Sequence, residues 1–170
     1  MMNHQSDERM RDSIKIIHII TGLNVGGAEL MLQRLLLADP ETKDTAIIIT
    51  LTGLGKIGTH LQSLGYRIHS FDFHKLWHIP INFLLLIKLI NYYKPEVVQT
   101  WMYHADFIGG LAARLAGCRN VIWGIRTSGA INKKRTYLIM RLCGLLSHII
   151  PRKIVCVANA AFIMTEKKWL

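Results

Sequence analysis

The sequence predicts one α/β domain, built on a doubly wound, Rossmann-like parallel sheet with helices on both faces. Apolar, β-branched runs alternate with helix-like segments six times along the chain, which is the pattern of strands joined by crossover helices. A length of 170 residues suits a single hydrophobic core. A hydrophobic fraction of 51% is too high for a disordered chain.

The first part of the chain is predicted to hold three strands and two helices. Residues 1–13 are polar and too acidic for a signal peptide, so we expect a flexible tail there. The run "IKIIHII" (14–20) is short, β-branched and followed by Gly22, as expected for a buried strand. The next predicted elements are a helix over 28–40, a strand over 45–52, a helix over 58–65 closed by Gly65, and a strand over 66–73.

The second part of the chain continues the same alternation. Pro80 can occupy the first turn of a helix that runs to Pro95. The elements predicted after it are a strand over 96–102, a helix over 105–117, a strand over 120–127, a helix over 136–150, a strand over 153–159 and a helix from 160 onward.

The positive charge is concentrated in the last third of the chain. Residues 1–118 hold 11 Lys and Arg against 10 Asp and Glu, whereas residues 119–170 hold 10 basic residues and one acid, Glu166. Such asymmetry indicates a polyanionic partner. Nucleic acid, an anionic membrane surface and a phosphorylated substrate all satisfy this criterion.

Three cysteines and two apolar stretches indicate where the chain resides. Cys118, Cys143 and Cys156 are odd in number and widely spaced, which argues against a disulfide framework or a zinc site and suits a reducing cytoplasm. The two longest apolar stretches are shorter than the ~20 residues that span a bilayer, and each carries a charge. We therefore expect no membrane-spanning segment.

Three glycines lie between the first strand and the first helix, in "TGLNVGGAEL" (21–30). Glycines at this position let the backbone approach a ligand, and the free N–H groups of the helix N-terminus attract phosphate. The spacing G-x-x-x-G-G is not the dinucleotide fingerprint G-x-G-x-x-G, and "TLTGLGKI" does not match a P-loop. A glycine-rich turn without a ligand is the alternative.

The chain resembles the N-terminal domain of family-4 glycosyltransferases, which have the GT-B fold. The resemblance begins in "IKIIHIITGLNVGGAELML" and continues in "PEVVQTWMYHADFIGGLAARLAG", "NVIWGIRTS" and "KIVCVANAA". It covers residues 14 to about 165. It implies transfer of a sugar from a nucleotide-sugar to an acceptor hydroxyl with retained anomeric configuration, with no metal and no cofactor besides the donor substrate.

The resemblance also implies site residues. Gly26 and Gly27 correspond to glycines that approach the donor phosphates or the acceptor, and Glu29 corresponds to an acid that can simply fix the turn. His104 corresponds to the family's histidine near the transferred sugar, where a neutral imidazole can orient a hydroxyl. We expect His104 to be the catalytic residue.

Further candidates follow from position along the strands. Arg126 ends the fifth strand, where it can hold a phosphate or carboxylate with help from Thr127 and Ser128; a surface arginine fits the pattern equally well. Trp101 and Tyr103 flank His104, and either can stack on a sugar or face the core.

A membrane-docking surface is indicated by three consecutive features: the basic segment 132–135, the apolar helix after it, and the "PRK" that follows the helix. A polyprenyl-linked or lipopolysaccharide acceptor would suit such docking on the inner face of the cytoplasmic membrane; a solvated basic face is the alternative. Nucleic acid is not expected as a partner, because no binding motif is present and the basic residues lack interleaved aromatics.

The sequence departs from the family at its carboxyl end. The family's C-terminal domain binds the donor and carries two glutamates seven residues apart, whereas Glu166 is the only acid here after Asp106. We therefore expect residues 14–170 to form the acceptor-side domain, with the donor-binding domain absent or supplied separately, and no activity from the chain alone. The alternative is a non-catalytic binding module or a truncated remnant of such an enzyme.

Overall fold

Six parallel strands form one sheet in the computed structural model, which describes residues 13–73, 75–125 and 134–156. The strands are β1 (Ile16–Ile20), β2 (Ala46–Thr50), β3 (Arg67–Ser70), β4 (Val97–Trp101), β5 (Val121–Ile125) and β6 (Lys153–Cys156). The helices are α1 (Gly27–Ala38), α2 (Thr42–Thr45), α3 (Gly55–Ser63), α4 (Ile79–Tyr93), α5 (Tyr103–Leu115) and α6 (Lys134–Leu146), with a 3₁₀ turn at Leu76–His78 before α4.

The strand order is β3-β2-β1-β4-β5-β6, so the chain builds one half of the sheet outward from β1 and then returns to build the other half from β4. In register, Ile20 at the end of β1 lies beside Trp101 at the end of β4. The predicted doubly wound parallel sheet is confirmed. The predicted tail, except Ser13, and the predicted helix from 160 lie outside the described residues.

The core has two layers, one on each face of the sheet. Alternate β1 residues point to opposite faces, so Ile17 and Ile19 pack with α4, α5 and α6, while Ile20 packs with α1 and α3. The helices complete each layer with fully buried side chains, such as Leu32 of α1 and Leu86 of α4. This two-sided burial explains why β1 and β2 have continuous apolar sequences.

Two helices begin earlier than the sequence predicts. α3 begins at Gly55 instead of residue 58, because the N–H of Ile57 donates to the Leu23 carbonyl at 2.9 Å and fixes the helix start against the loop after β1. α5 begins at Tyr103 instead of residue 105, so His104 lies in the first helical turn. The short helix α2 was not predicted.

The cysteines are free thiols, as expected, although only Cys143 is fully buried; Cys118 and Cys156 are half-buried. None of the helices in the described part of the chain is both long and apolar enough to cross a membrane.

Candidate functional site

The candidate site lies where the strand order reverses, between β1 and β4. In doubly wound sheets the loops that leave two such strands diverge to opposite faces, and ligands bind in the crevice between them, beyond the carboxyl ends of the strands. Here the glycine turn follows β1 and His104 follows β4. The fold therefore brings these two predicted features to one edge of the sheet, on neighbouring strands.

The glycine turn ends in the N-terminus of α1, with Gly26 as the N-cap residue. The Glu29 carboxylate folds back over Gly26, where its Oε2 atom would contact any Cβ added to the glycine. A carboxylate is stabilised by the same N–H groups and helix dipole that attract phosphate. Glu29 therefore competes with a ligand anion for this helix end.

Gly27, in contrast, has open space around the position of a Cβ. Gly27 is the first residue of α1 and is exposed. A Cβ added to it would meet no atom within 4 Å. The two adjacent glycines thus differ, since Gly26 accommodates the Glu29 carboxylate and Gly27 has open space beside it.

A second glycine loop, after β2, supports the first and was not identified as functional from the sequence. Gly55 has a positive φ of 62°, and a Cβ there would collide with the backbone of Leu23 and Asn24. The Leu23 carbonyl also accepts a hydrogen bond from the Ile57 N–H. The signal was present in "TGLGKIG", whose glycines permit this close approach of two loops.

His104 is half-buried in the first turn of α5, and no hydrogen-bond partner for its ring is found among the described residues. Burial lowers the pKa of His104 below the ordinary value of 6.5. The imidazole is therefore neutral at pH 7, with one nitrogen to donate and one to accept. This is the protonation state that a residue orienting a sugar hydroxyl requires.

The turn that presents His104 is strained. Met102, the N-cap of α5, has φ 73° and ψ 156°, a region that is essentially restricted to glycine and costs roughly 1–3 kcal/mol for other residues. Its N–H donates to the Gly124 carbonyl on β5 at 3.1 Å. Strained backbone of this kind is concentrated at functional sites.

Asp106 lies beneath this turn and is fully buried. Its Oδ1 atom is 2.5 Å from the Thr100 hydroxyl of β4. Burial raises the pKa of Asp106 well above its ordinary value, although hydrogen bonds from Thr100 and from the Gly124 backbone oppose the rise. No role in the site was predicted for Asp106, because an aspartate in the first turn of a helix is common at exposed helix ends.

The other predicted site residues have different outcomes. Arg126, Thr127 and Ser128 follow β5 directly but lie outside the described residues, so their roles stay predictions. Trp101 and Tyr103 are both buried, at 1% and 5% exposure. Neither side chain is available to stack on a sugar, because β4 ends in the core and α5 begins before the chain reaches the surface.

A cavity of about 370 Å³ opens at the opposite edge of the sheet and is separate from the candidate site. It is lined by the carboxyl ends of α4 and α5, including Lys94 and Cys118. The strands begin at that edge, away from the crevice between β1 and β4. Among the described residues, no cluster of His, Cys, Asp and Glu is arranged to hold a metal ion.

Comparison with known proteins supports a relationship to glycosyltransferases. The chain is 30% identical over 158 residues to the capsular polysaccharide biosynthesis glycosyltransferase CapH of Staphylococcus aureus. That match covers 87% of this chain and 41% of CapH, so the chain spans less than half the length of this curated relative. No protein-family model matches the chain.

Solved structures share the fold at lower identity. Anabaena HepE in complex with UDP superposes with a TM-score of 0.72 at 16% identity, over 90% of this chain and 41% of HepE. The complex of HepE with UDP and glucose gives a TM-score of 0.71 at 18% identity, over 89% of this chain and 41% of HepE. Acinetobacter baumannii MurG gives 0.58 at 15% identity, over 86% of this chain and 42% of MurG.

The chain has the Rossmann-like fold of one half of a GT-B structure, and its sequence is similar to that of the glycosyltransferase CapH.

Proposed function

We propose that this domain is the acceptor-side half of a retaining, family-4 glycosyltransferase. It would transfer a sugar from a nucleotide-sugar to a polysaccharide or glycolipid acceptor. The observation that carries the proposal is the placement of the glycine turn and His104 on neighbouring strands at the switch point of the sheet. The similarity to CapH and the fold shared with the UDP complex of HepE support it.

The proposed roles follow from the chemistry of the leaving group. As the bond to the sugar breaks, the nucleoside diphosphate gains negative charge, and N–H groups directed at it stabilise the transition state. The N-terminus of α1 at Gly26 and Gly27 provides such groups when the Glu29 carboxylate moves aside. The neutral imidazole of His104 orients a sugar hydroxyl, and Arg126 with Thr127 and Ser128 holds an anionic group of the acceptor.

Donor binding is proposed to depend mainly on a second domain. The chain contains no pair of glutamates seven residues apart of the kind that the family uses on the donor side. It also spans only 41% of CapH. We therefore propose that the chain by itself does not turn over nucleotide-sugar and acts with a donor-binding domain.

Replacing His104 tests this function. The chain is supplied with a donor-binding domain, such as the part of CapH that it does not match, and His104→Ala is compared with the parent. We expect the turnover per folded molecule to fall on the order of 100-fold, because an oriented hydrogen bond in the transition state is lost. We expect stability to fall by at most about 1 kcal/mol, as for a surface substitution.

His148→Ala is the matched control, because His148 is exposed beyond the carboxyl end of α6. Unchanged turnover in His104→Ala would refute the role of His104. If the parent pairing itself shows no turnover with any nucleotide-sugar, the alternative of a non-catalytic binding module is favoured.

We further propose that the domain docks on an anionic membrane surface, which would bring a lipid-linked acceptor to the site. The outer face of α6 carries Leu138 and Leu145, which are 59% and 74% exposed, with the exposed Arg141 between them. On the same side of the sheet, Trp77 precedes α4 and is 91% exposed. Exposed apolar side chains with interleaved cations suit the interface of an anionic bilayer.

Sedimentation with lipid vesicles tests this docking. We expect the chain to pellet with vesicles that contain phosphatidylglycerol but not with pure phosphatidylcholine, and to be released by salt. Leu145→Ser combined with Arg141→Glu should abolish pelleting. The control is Leu35→Ser, since Leu35 is also apolar and 48% exposed but lies on α1, on the opposite face of the sheet. Equal loss in both variants would contradict the assigned surface.

A further inference from the structure

Asp106 is a buried acid that the proposed transfer reaction does not use. It lies in the first turn of α5, two residues after His104, and its side chain reaches back to Thr100 in the last part of β4. The link between residues 100 and 106 therefore spans the whole turn that carries the imidazole. A side chain that only filled space in the core would be apolar.

The same turn is tied to the neighbouring strand at several atoms. The Met102 N–H donates to the Gly124 carbonyl, and the Met102 carbonyl accepts a hydrogen bond from the Asp106 N–H at 2.8 Å. The Thr100 hydroxyl that binds Asp106 also lies 3.3 Å from the Ile122 carbonyl of β5. The unusual conformation of Met102 is thus enclosed by bonds that converge on Asp106 and Gly124.

The position of Gly124 permits this convergence. A Cβ at Gly124 would lie 2.9 Å from the Thr100 carbonyl oxygen, which is backbone and cannot move aside easily. Glycine therefore lets β5 approach β4 closely beside the hydrogen bond between Thr100 and Asp106.

Burying the Asp106 carboxyl at this position costs free energy of folding. Its Oδ2 atom is buried and has no hydrogen-bond partner among the residues that the structure describes. An unpaired polar atom in the core lowers stability, so this carboxyl is poorly explained by stability alone. What its bond to Thr100 does provide is one fixed geometry for the turn.

We propose that Asp106 is the positioning residue for His104, holding the β4–α5 turn so that the imidazole stands at the carboxyl edge of the sheet. The inference rests on the proposed function for the significance of His104. The position of the imidazole itself is measurable without donor or acceptor.

NMR titration of the His104 ring in the full chain tests the proposal, with its resonance assigned by comparison with His104→Gln. In the parent, burial keeps the His104 pKa below the ordinary value. Thr100→Val removes the hydroxyl that binds Asp106 at similar volume, and Thr100→Ser retains it. We expect Thr100→Val and Asp106→Ala to move the His104 pKa up towards ~6.5, because the released imidazole becomes hydrated.

We expect Thr100→Ser and Asp106→Asn to leave the titration close to that of the parent, because both retain hydrogen bonding across the turn. If Asp106→Ala does not fold, the comparison of Thr100→Val with Thr100→Ser decides. An unmoved His104 titration in folded Thr100→Val would overturn the proposal and leave Asp106 with a packing role. A shifted titration together with unchanged turnover in His104→Ala would refute the proposed function and retain the positioning role.

Discussion

His18 and His104 show how position on one sheet decides what a histidine does. His18 lies in the middle of β1 and is 2% exposed, and its Nδ1 atom accepts a hydrogen bond from the Trp101 indole at 3.3 Å. His104 lies beyond the end of the neighbouring strand and is half-buried. Its burial and its bond to Trp101 give His18 a place in the core. The ligand-facing role of His104 stays a prediction.

We expect His18 to make the domain sensitive to acid. Burial lowers the pKa of His18 to about 4, against 6.5 in the unfolded chain. Above pH 6.5 the His18 imidazole is neutral in both the folded and the unfolded chain, so it contributes nothing to the pH dependence of stability. Between pH 6.5 and 4 only the unfolded chain binds the proton, so the free energy of unfolding falls, by about 3 kcal/mol in total.

Urea unfolding at pH 7 and pH 4.5 measures this effect in the parent and in His18→Gln. We expect the pH-dependent loss of stability to be smaller in the variant by about 2–3 kcal/mol. Asp106 acts in the opposite sense, because its raised pKa makes the native state bind a proton first as the pH falls. The difference between parent and variant isolates His18, and His148→Gln is the exposed control. Equal losses in all three proteins would contradict the assignment.

At the scale of elements, the sequence predicted the six strands and most of the helices because each run is bounded by Gly or Pro. Gly65 closes α3 with a positive φ of 92°, as expected, and Pro80 lies in the first turn of α4. The start of α5 was misplaced because Met102 adopts a conformation that its residue type does not favour. The Met102 N–H is bound by the Gly124 carbonyl of β5, a contact with a later segment that local patterns do not reveal.

The candidate site was predictable only where its residues lie next to recognisable element ends. The glycine turn and His104 lie next to strand ends, which local patterns reveal. The strand order brings β1 and β4 together, and this order arises from packing between distant segments. The link between Asp106 and Thr100 also depends on the turn geometry, so residue types alone gave no indication of it.

The adjacent glycines at the start of α1, Gly26 and Gly27, allow a test of whether Glu29 fixes the turn. Gly27→Ala should be neutral or stabilising by about 0.5 kcal/mol, because the added methyl group meets no neighbour and alanine favours a helix. Gly26→Ala should cost up to about 1 kcal/mol, because the methyl group displaces the Glu29 carboxylate from the helix end.

A double-mutant cycle checks the mechanism by thermal unfolding. In the Glu29→Ala background, the cost of Gly26→Ala should disappear, since the group that the methyl displaces is absent. A cost that persists there would mean that Gly26 is required for its backbone and that Glu29 does not fix the turn.

For the molecule as a whole, we expect weak binding of nucleotide. The chain matches 41% of CapH and contains no counterpart of the family's glutamate pair. Calorimetric titration of the chain with UDP- and GDP-sugars should give a Kd of about 1 mM or weaker, which corresponds to about −4 kcal/mol. A micromolar Kd for the chain alone would show that donor affinity resides in this domain.

The central position of β1 has a consequence for how the polypeptide is made. β1 emerges from the ribosome before β4 and can pair with β2 first, but its other neighbour begins at Val97, some 80 residues later. At usual rates of translation this is a delay on the order of ten seconds. During that time the free edge of β1, with its isoleucines, is open to pairing with other nascent chains. The junction that forms the crevice proposed for substrate therefore closes only after β4 is made. Until then the growing chain is most prone to aggregate at this edge, where a chaperone that shields exposed strands would act.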